Sequence, residues 1–398
     1  MSQPKPLPPP PQPAYILRGH TSPIHALAFL RHNTLLLTAD ANGICVLWTL
    51  HTRRPLAVWA AHKSSVLAVA EWRPIDPAST ESRIITHGRD HKIYVWRLPS
   101  PADDVPTVLP VDSGGEVTGK SPWLVAALSV NALNFCGFGF CLDDDQNVEG
   151  KEYQDALVAV PAALESAAVD IFSLPSTHRV HARIQSQSTT GMAMALSLRW
   201  VKGVLTLIAG YESGHVSIFS YRSGTWTEVH SSKPHTQPVL GLAAAPGNEW
   251  FLTTSADSLI VRHSLGQEGM DLVRDTKHAG LQGLAVRGDA KIFAMAGWDG
   301  KYRVWSAGKM KELAVLKWHR VGCYAVAFAE ILDAVAGSEI SQTEALVTNG
   351  DAGEVVRSGY EGALGALTVE QARIRRETSK HWLAGGAKDG KVSLWEIY

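Results

Sequence analysis

Cysteine is scarce in this 398-residue chain: Cys45, Cys136, Cys141 and Cys323 are too few and too scattered for a disulfide framework. Cys45 and Cys323 fall on strand-like positions, where a small apolar side chain is the ordinary role. Net charge is also missing, since 37 Lys+Arg against 38 Asp+Glu leave a formal −1. Without a global basic field, neither nucleic acid nor an anionic membrane is expected as a direct partner. No apolar run approaches the roughly 20 residues of a membrane span, and no charged-then-apolar leader opens the chain. A reducing, intracellular compartment is the expectation. Sixteen histidines are present, yet no zincin helix or closely spaced Cys/His set accompanies them, and no G-x-S-x-G elbow occurs. The chain is therefore expected to be a non-enzyme with neither metal nor cofactor.

What the chain does have is repetition. Seven times a polar turn leads into alternating apolar residues ending in a large side chain: Trp48, Trp96, Phe172, Phe219, His263, Trp305 and Trp395. Six residues upstream of each lie Asn42, Asp90, Ser166, Ser213, Asp257, Asp299 and Asp389. Such a unit is one side of a β-hairpin, and recurrence at roughly 40–50 residues marks a propeller or solenoid. Apolar residues form 45% of the chain, enough for one continuous core despite a length that suggests two or three domains.

First strands align at Ile24–Phe29, Val130–Phe135 and Cys323–Phe328, with looser copies from Val66, Val239 and Leu281, and Gly191–Leu196 in the same slot. Second strands are expected at Leu35–Thr38, Arg83–Thr86, Ala156–Val160, Leu205–Ala209, Trp250–Thr253, Ile292–Met295 and Trp382–Gly385. A His often precedes the first strand: His20, His62, His235, His278 and His319. This set resembles the WD40 family, in which His, Ser or Thr, Asp and Trp form a buried hydrogen-bonded relay in each blade. The resemblance implies a full relay in blade 2 (His62, Thr86, Asp90, Trp96) and one in blade 1 with Asn42 in the Asp slot beside His20, Thr38 and Trp48. Asp257, Asp299, Trp305, Asp389 and Trp395 fill relay positions in blades 5 to 7. Met295 and Gly385 stand where a hydroxyl is expected, His263 replaces a Trp, and blades 3 and 4 lack nearly the whole set.

The last strand, Lys391–Tyr398, is a third strand with no fourth after it, and Ala14–Arg18 has nothing before it. Pairing the two removes the free edges of an open ring. The expected fold is all-β: a seven-bladed WD40 β-propeller over 14–398, closed by pairing of its N-terminal strand with the C-terminal blade. A proline-rich tail over 1–13 precedes it, and inserts fall at 99–122, 136–153 and 331–380. Thr348–Val356 also resembles a strand–turn–strand, but 359–380 holds no first strand, so 331–380 is read as an insertion within blade 7 rather than an eighth unit.

Gly114-Gly-Glu-Val-Thr-Gly119-Lys120-Ser121 satisfies the P-loop pattern, but a phosphate cradle needs a parallel strand before it and a helix after it. Pro122 follows at once. Asp143–Asn147 suggests a calcium loop, yet Val148 and Gln154 occupy the positions where an EF-hand needs Gly and Glu. Partner contacts are assigned to two sets of residues. Arg373, Arg375 and Arg376 form a basic cluster in the last insert. Arg89, Trp298 and Lys388 each precede a turn Asp on the face of the His loops, while the inserts at 136–153 and 331–380 leave from the opposite face. Exposed Trp and Arg are enriched at interface hot spots.

The segments ILRGHTSPIHALAF, ITHGRDHKIYVW, VNALNFCGF and LAGGAKDGKVSLWEIY, in this order, resemble the fungal ASTRA-associated protein 1 family. That resemblance implies a nuclear, non-enzymatic scaffold subunit of the ASTRA assembly, acting in chromatin regulation. Its implied partners are a Tra-type pseudokinase, RuvB-like AAA+ ATPases and the helical-repeat Tel–Tti cochaperone that matures PI3-kinase-related kinases. Within that hetero-oligomer the chain would be a single copy. The alternative is a generic WD40 adaptor, either a G-protein β-like scaffold or a ubiquitin-ligase substrate receptor. The receptor usually shows Trp-Asp-x-Arg, which Trp96-Arg97-Leu98-Pro99 does not match. A propeller enzyme needs polar groups converging on the channel, where this chain places mostly Ala, Val, Leu and Gly.

Overall fold

Strands that alternate in direction and bury both faces between neighbours organise the chain into a ring of seven four-stranded antiparallel sheets. The computed structural model describes residues 11–77, 79, 81–133, 135–144, 150–265, 271–332 and 367–397. Residues 1–10 of the proline-rich tail, residues 145–149 with the last three positions of the Asp143–Asn147 stretch, and Thr348–Val356 lie outside them. Second strands are sandwiched and read as unbroken buried runs, for example Leu35–Asp40, Ala156–Pro161 and Trp382–Ala387. Outer strands such as Leu272–Asp275 and Arg179–Ile184 carry exposed polar residues. The core passes from blade to blade as clusters of apolar side chains. One joins Leu17, Ile24, Trp48, Trp382 and Leu394 across the junction of blades 1 and 7.

Closure follows the expectation. Tyr15–Arg18 is the outer strand of blade 7, paired antiparallel with Lys391–Glu396 in the register Ile16↔Ser393, and Ala14 N donates to Leu394 O at 2.8 Å. The ring thus ends with no unpaired strand at its seam.

Blade 3 departs from the sequence reading. None of the described residues of Val130–Phe135 lies in a strand; the first strand of that blade is the short Gly139–Leu142, which falls inside the insert assigned to 136–153. The apolar alternation at 130–135 is real, but Leu124–Ser129 just before it already serves as the outer strand of blade 2. The chain must cross between blades before it can pair again. Asn131 makes that crossing, buried, its Nδ2 donating to Ala162 O at 2.7 Å and its Oδ1 accepting from Leu133 N.

The insert at 99–122 climbs the rim of blade 1. Val58 N, on that blade's outer strand Arg54–Ala60, donates to Pro106 O at 2.7 Å, and Val111 N donates to Gly19 O at 3.1 Å. Leu109 and Val117 pack on the blade 1–blade 7 cluster. The P-loop match lies in this strap: Lys120 Nζ meets Asp104 at 2.7 Å, and the next element is the strand Leu124–Ser129, not a helix.

Candidate functional site

Among the described residues, four blades carry an interior polar chain built on a His. In blade 2, His62 Nδ1 donates to Asp90 Oδ1 at 2.9 Å, Thr86 Oγ1 lies 2.8 Å from His62 Nε2, and Trp96 Nε1 donates to Thr86 Oγ1 at 2.9 Å. With the carboxylate fixing Nδ1 as the donor, the Thr hydroxyl gives its proton to Nε2 and accepts from the indole. Every donor and acceptor is then used, as burial demands. Burial pushes the His62 imidazole below its ordinary pKa, against the pull of Asp90.

Blade 1 corrects the assignment of Asn42. The carboxylate facing His20 belongs to Asp40: His20 Nδ1 to Asp40 Oδ2 is 2.8 Å, His20 Nε2 to Thr38 Oγ1 is 2.8 Å, and Trp48 Nε1 donates to Thr38 at 2.9 Å. Asn42 contributes only its backbone N–H, which, like that of Ile44, is accepted by Asp40 Oδ1. The register explains the swap. Asp40 pairs with Ile24 as Gly88 pairs with Val66, and a Cβ on Gly88 would run into His62 and Asp90. Either position can fill the same space, and in blade 1 the side chain comes from the strand end instead of the turn.

Blade 7 obtains its hydroxyl from the third strand. Ser393 Oγ stands 3.0 Å from His319 Nε2 and accepts from Trp395 Nε1 at 2.9 Å, while His319 Nδ1 meets Asp389 at 3.2 Å. Gly385 is therefore no gap: Ser393, its cross-strand partner, occupies the slot. In blade 5, His235 bridges Asp257 and Thr253, and His263 Nε2 lies 2.9 Å from Thr253 Oγ1 while its Nδ1 donates to Asp271 at 3.0 Å. That hydroxyl has one proton for two imidazole nitrogens, whereas an indole would supply a donor of its own.

Blade 6 has no such chain, and the relay roles of Asp299 and Trp305 are corrected. His278 is exposed. Asp299 instead accepts two hydrogen bonds from the buried Arg303, at 3.1 and 2.7 Å. Burial opposes its charge, but Arg303 and Lys301 outweigh that and hold the carboxyl at about 2. With Met295 in the hydroxyl slot, Trp305 Nε1 has no hydrogen-bond partner among the described residues. Sequence spacing missed Asp40, Ser393 and Arg303. The last two sit two residues before the third-strand aromatic, a column that faces the interior.

The two sets of partner candidates are brought to opposite faces. Arg373, Arg375 and Arg376 are exposed on the helix Val369–Thr378, which Thr368 and Gln371 cap reciprocally. Its base is tied to blade 1. Buried Asn33, third of three consecutive left-handed residues (φ 46, 49 and 66° at Arg31, His32 and Asn33), accepts from Glu330 N at 2.8 Å and donates to Glu330 O at 2.7 Å and Thr378 O at 3.2 Å. Glu330 also meets His32 at 3.1 Å and Arg73 at 3.1 Å, contacts that hold its carboxyl at about 2. Both ends of the insertion are thus pinned to the same turn.

Arg89, Trp298 and Lys388 lie on the other face, around the channel. Each donates its backbone N–H to the loop just before a first strand: Arg89 to Ser65 O, Trp298 to Gly280 O and Lys388 to Gly322 O. Arg89 and Lys388 are exposed, and Trp298 is 49% exposed. No group of three or more His, Cys, Asp or Glu among the described residues has metal-holding geometry. Burial raises the Cys141 and Cys323 thiols to about 12, the reverse of what a reactive thiolate needs.

The profile of the ASTRA-associated protein 1 family matches residues 13–395. ASTRA-associated protein 1 of Verticillium alfalfae is 42% identical, the alignment covering 98% of this chain and 94% of that protein. Its counterpart in Penicillium rubens is 40% identical, with 98% of each covered. That of Schizosaccharomyces pombe is 31% identical over 80% of this chain and 93% of its own length. A match that runs from the closure strand through the last blade, at these identities, places the chain in the ASTRA-associated protein 1 family.

Proposed function

We propose that the protein is a non-enzymatic propeller subunit of an ASTRA-type assembly in the nucleus. There it holds the helical-repeat Tel–Tti cochaperone beside RuvB-like AAA+ ATPases and a Tra-type pseudokinase, in kinase-family maturation and chromatin regulation. Similarity over the whole ring to proteins named for ASTRA supports the assembly. The observation that carries the contact is the insertion: three exposed arginines on a capped helix whose base is fixed to blade 1. A positioned cationic face suits an acidic helical-repeat surface, and rim charges of this kind tune association rate and salt dependence. Affinity purification of the tagged protein from its native organism, with mass spectrometry, should recover the cochaperone, the ATPases and the pseudokinase together. Replacing Arg373, Arg375 and Arg376 by Ser should weaken cochaperone capture, chiefly at higher salt, with an unchanged melting temperature. Capture that survives the triple change would remove the arginine helix from the contact.

A further inference from the structure

Each blade ends in an outer strand whose far edge pairs with no further strand among the described residues. Six of the seven outer strands carry charged side chains, among them Arg54, Arg179, Glu228, Arg274, Lys311 and Arg18. Charges on an edge oppose the addition of another chain. The exception is Leu124–Ser129 of blade 2, which reads Leu-Val-Ala-Ala-Leu-Ser and holds neither charge nor proline. The strap over 99–122 shows what such an edge accepts. It covers the outer strand of blade 1 in extended form, with Val58 N donating to Pro106 O at 2.7 Å, and then runs into Leu124–Ser129 without covering it.

Register shows which groups that edge offers. Val130 N donates to His91 O at 3.0 Å, and Leu128 and Ala126 pair with Ile93 and Val95. Bonded and non-bonded pairs alternate along an antiparallel ladder. Ala127, opposite Tyr94, and Ser129, opposite Lys92, are therefore the non-bonded positions, and their N–H and C=O groups point away from the blade. No backbone group among the described residues bonds to them. Both residues are exposed, while Leu128 between them turns into the core that blade 2 shares with blade 3. A bulge at Val125 bends the start of the strand and leaves 126–129 regular. Beside it Trp123 is 73% exposed and Leu124 43% exposed.

We propose that the outer edge of blade 2 takes up an extended segment of another protein as a fifth strand. Backbone pairing with Ala127 and Ser129 supplies the affinity, and alternate side chains of the segment supply the selection. A large apolar residue of the segment lies against Trp123 and Leu124, and β-branched residues pass the small Ala127. A second copy of this chain is a poor occupant. Six residues span about 20 Å, a patch well short of the roughly 1,200 Å² that a stable dimer buries. The segment therefore belongs to a protein that the chain also holds elsewhere, where tethering supplies the effective concentration that so short an edge needs. That last step rests on the assembly proposed above; the open edge does not.

Fluorescence anisotropy on the full chain tests the edge with the labelled nonapeptide Lys-Thr-Val-Thr-Trp-Thr-Val-Thr-Lys. It should bind, and the same peptide with Pro-Pro in place of the Val-Thr before its Trp should bind at least tenfold more weakly. Ala127→Lys should lower the affinity at least tenfold with the melting temperature unchanged. Ala127→Pro should do the same, because the N–H it removes makes no ladder bond and an edge position of that kind accepts proline. The triple Arg-to-Ser change in the helix should leave binding untouched. In hydrogen exchange the Ala127 and Ser129 amides should be fast in the free chain and at least tenfold slower with peptide bound. No binding, equal binding by the Pro-Pro peptide, or full affinity in Ala127→Lys would each overturn the proposal. Slow exchange of both amides in the free chain would overturn it too, since the protein would already cover its own edge. So would a sedimenting mass that rises with concentration and falls back in Ala127→Lys, which would make the occupant a second copy. The peptide measurements need no assembly, so their failure is distinct from failure of the function proposed above.

Discussion

At the scale of single residues, the interior chains depend on matching one proton to one lone pair at each step. In blades 1, 2 and 7 a carboxylate, an imidazole, a hydroxyl and an indole close that account. Removing the carboxylate leaves a buried imidazole N–H without an acceptor, a loss on the order of 1–3 kcal/mol. In blade 1 the cost should follow Asp40, not Asn42. Asp40→Ala also strips the acceptor from Asn42 N and Ile44 N, so the turn loosens with the relay. Asn42→Ala removes a side chain that makes no relay contact and should shift stability by no more than about 0.5 kcal/mol. Thermal melting of the two variants checks this, and equal destabilisation would show Asn42 to matter after all. Asp90→Ala is expected to resemble Asp40→Ala, since Asp90 alone faces His62 Nδ1 and Lys63 N.

At the scale of elements, two excursions from the ring are held by specific hydrogen bonds instead of by sheet pairing. The strap over 99–122 is carried by backbone bonds to Val58 and Gly19. The helix Val369–Thr378 depends on Asn33, whose side-chain amide reaches across to Glu330 and Thr378. Asn33→Ala would leave the part-buried Glu330 amide and carbonyl and the buried Thr378 carbonyl short of a partner, a cost of roughly 1–3 kcal/mol. The effect should be local as well as global. Hydrogen exchange is expected to speed up across 368–378 more than in any blade. Asn33→Asp keeps the acceptor for Glu330 N but loses the donors, so it should fall between parent and Ala. Unchanged protection of the helix in Asn33→Ala would mean that Glu377, through Arg53 and Lys380, suffices as the anchor.

At the scale of the whole molecule, burial of imidazoles makes the ring sensitive to acid. His25, His62, His87, His181, His215 and His235 are all held below the ordinary histidine value, with desolvation the largest cause in each. His87, fully buried, is lowered to about 3. A depressed folded value means that the unfolded chain takes up the protons first. Stability from these groups is therefore complete above the unfolded value near ~6.5 and is lost as pH falls below it. His87 alone should cost on the order of 1 kcal/mol by pH ~5.5. Asp299 and Glu330, held at about 2, do not titrate in that window and cannot offset the loss. The melting temperature should be flat from pH ~8 to ~7 and fall steadily from ~6.5 to ~5.5. A flat profile down to pH ~5.5 would contradict the burial of these side chains.

The blade count, the second and third strands and the closure were legible in the chain itself, because each rests on local periodicity. A two-residue alternation marks a strand, a polar turn fixes where it starts, and a terminal Trp or His marks its inner end. The blade 2 relay was legible for the same reason, since His62, Thr86, Asp90 and Trp96 all occupy their usual slots. Other features depended on pairing that spacing does not encode. Asp40 replaces Asn42, and Ser393 stands in for Gly385, because cross-strand register brings different sequence positions to one point in space. Arg303 takes up Asp299 in the blade where His278 is exposed. Val130–Phe135 alternates like a strand, but its neighbours had already taken the sheet edge that it needed. The pinning of both ends of an insertion by the single Asn33 arises from contacts between residues far apart in the chain. Local pattern determined which segments are strands; only the closed ring decided which side chains meet.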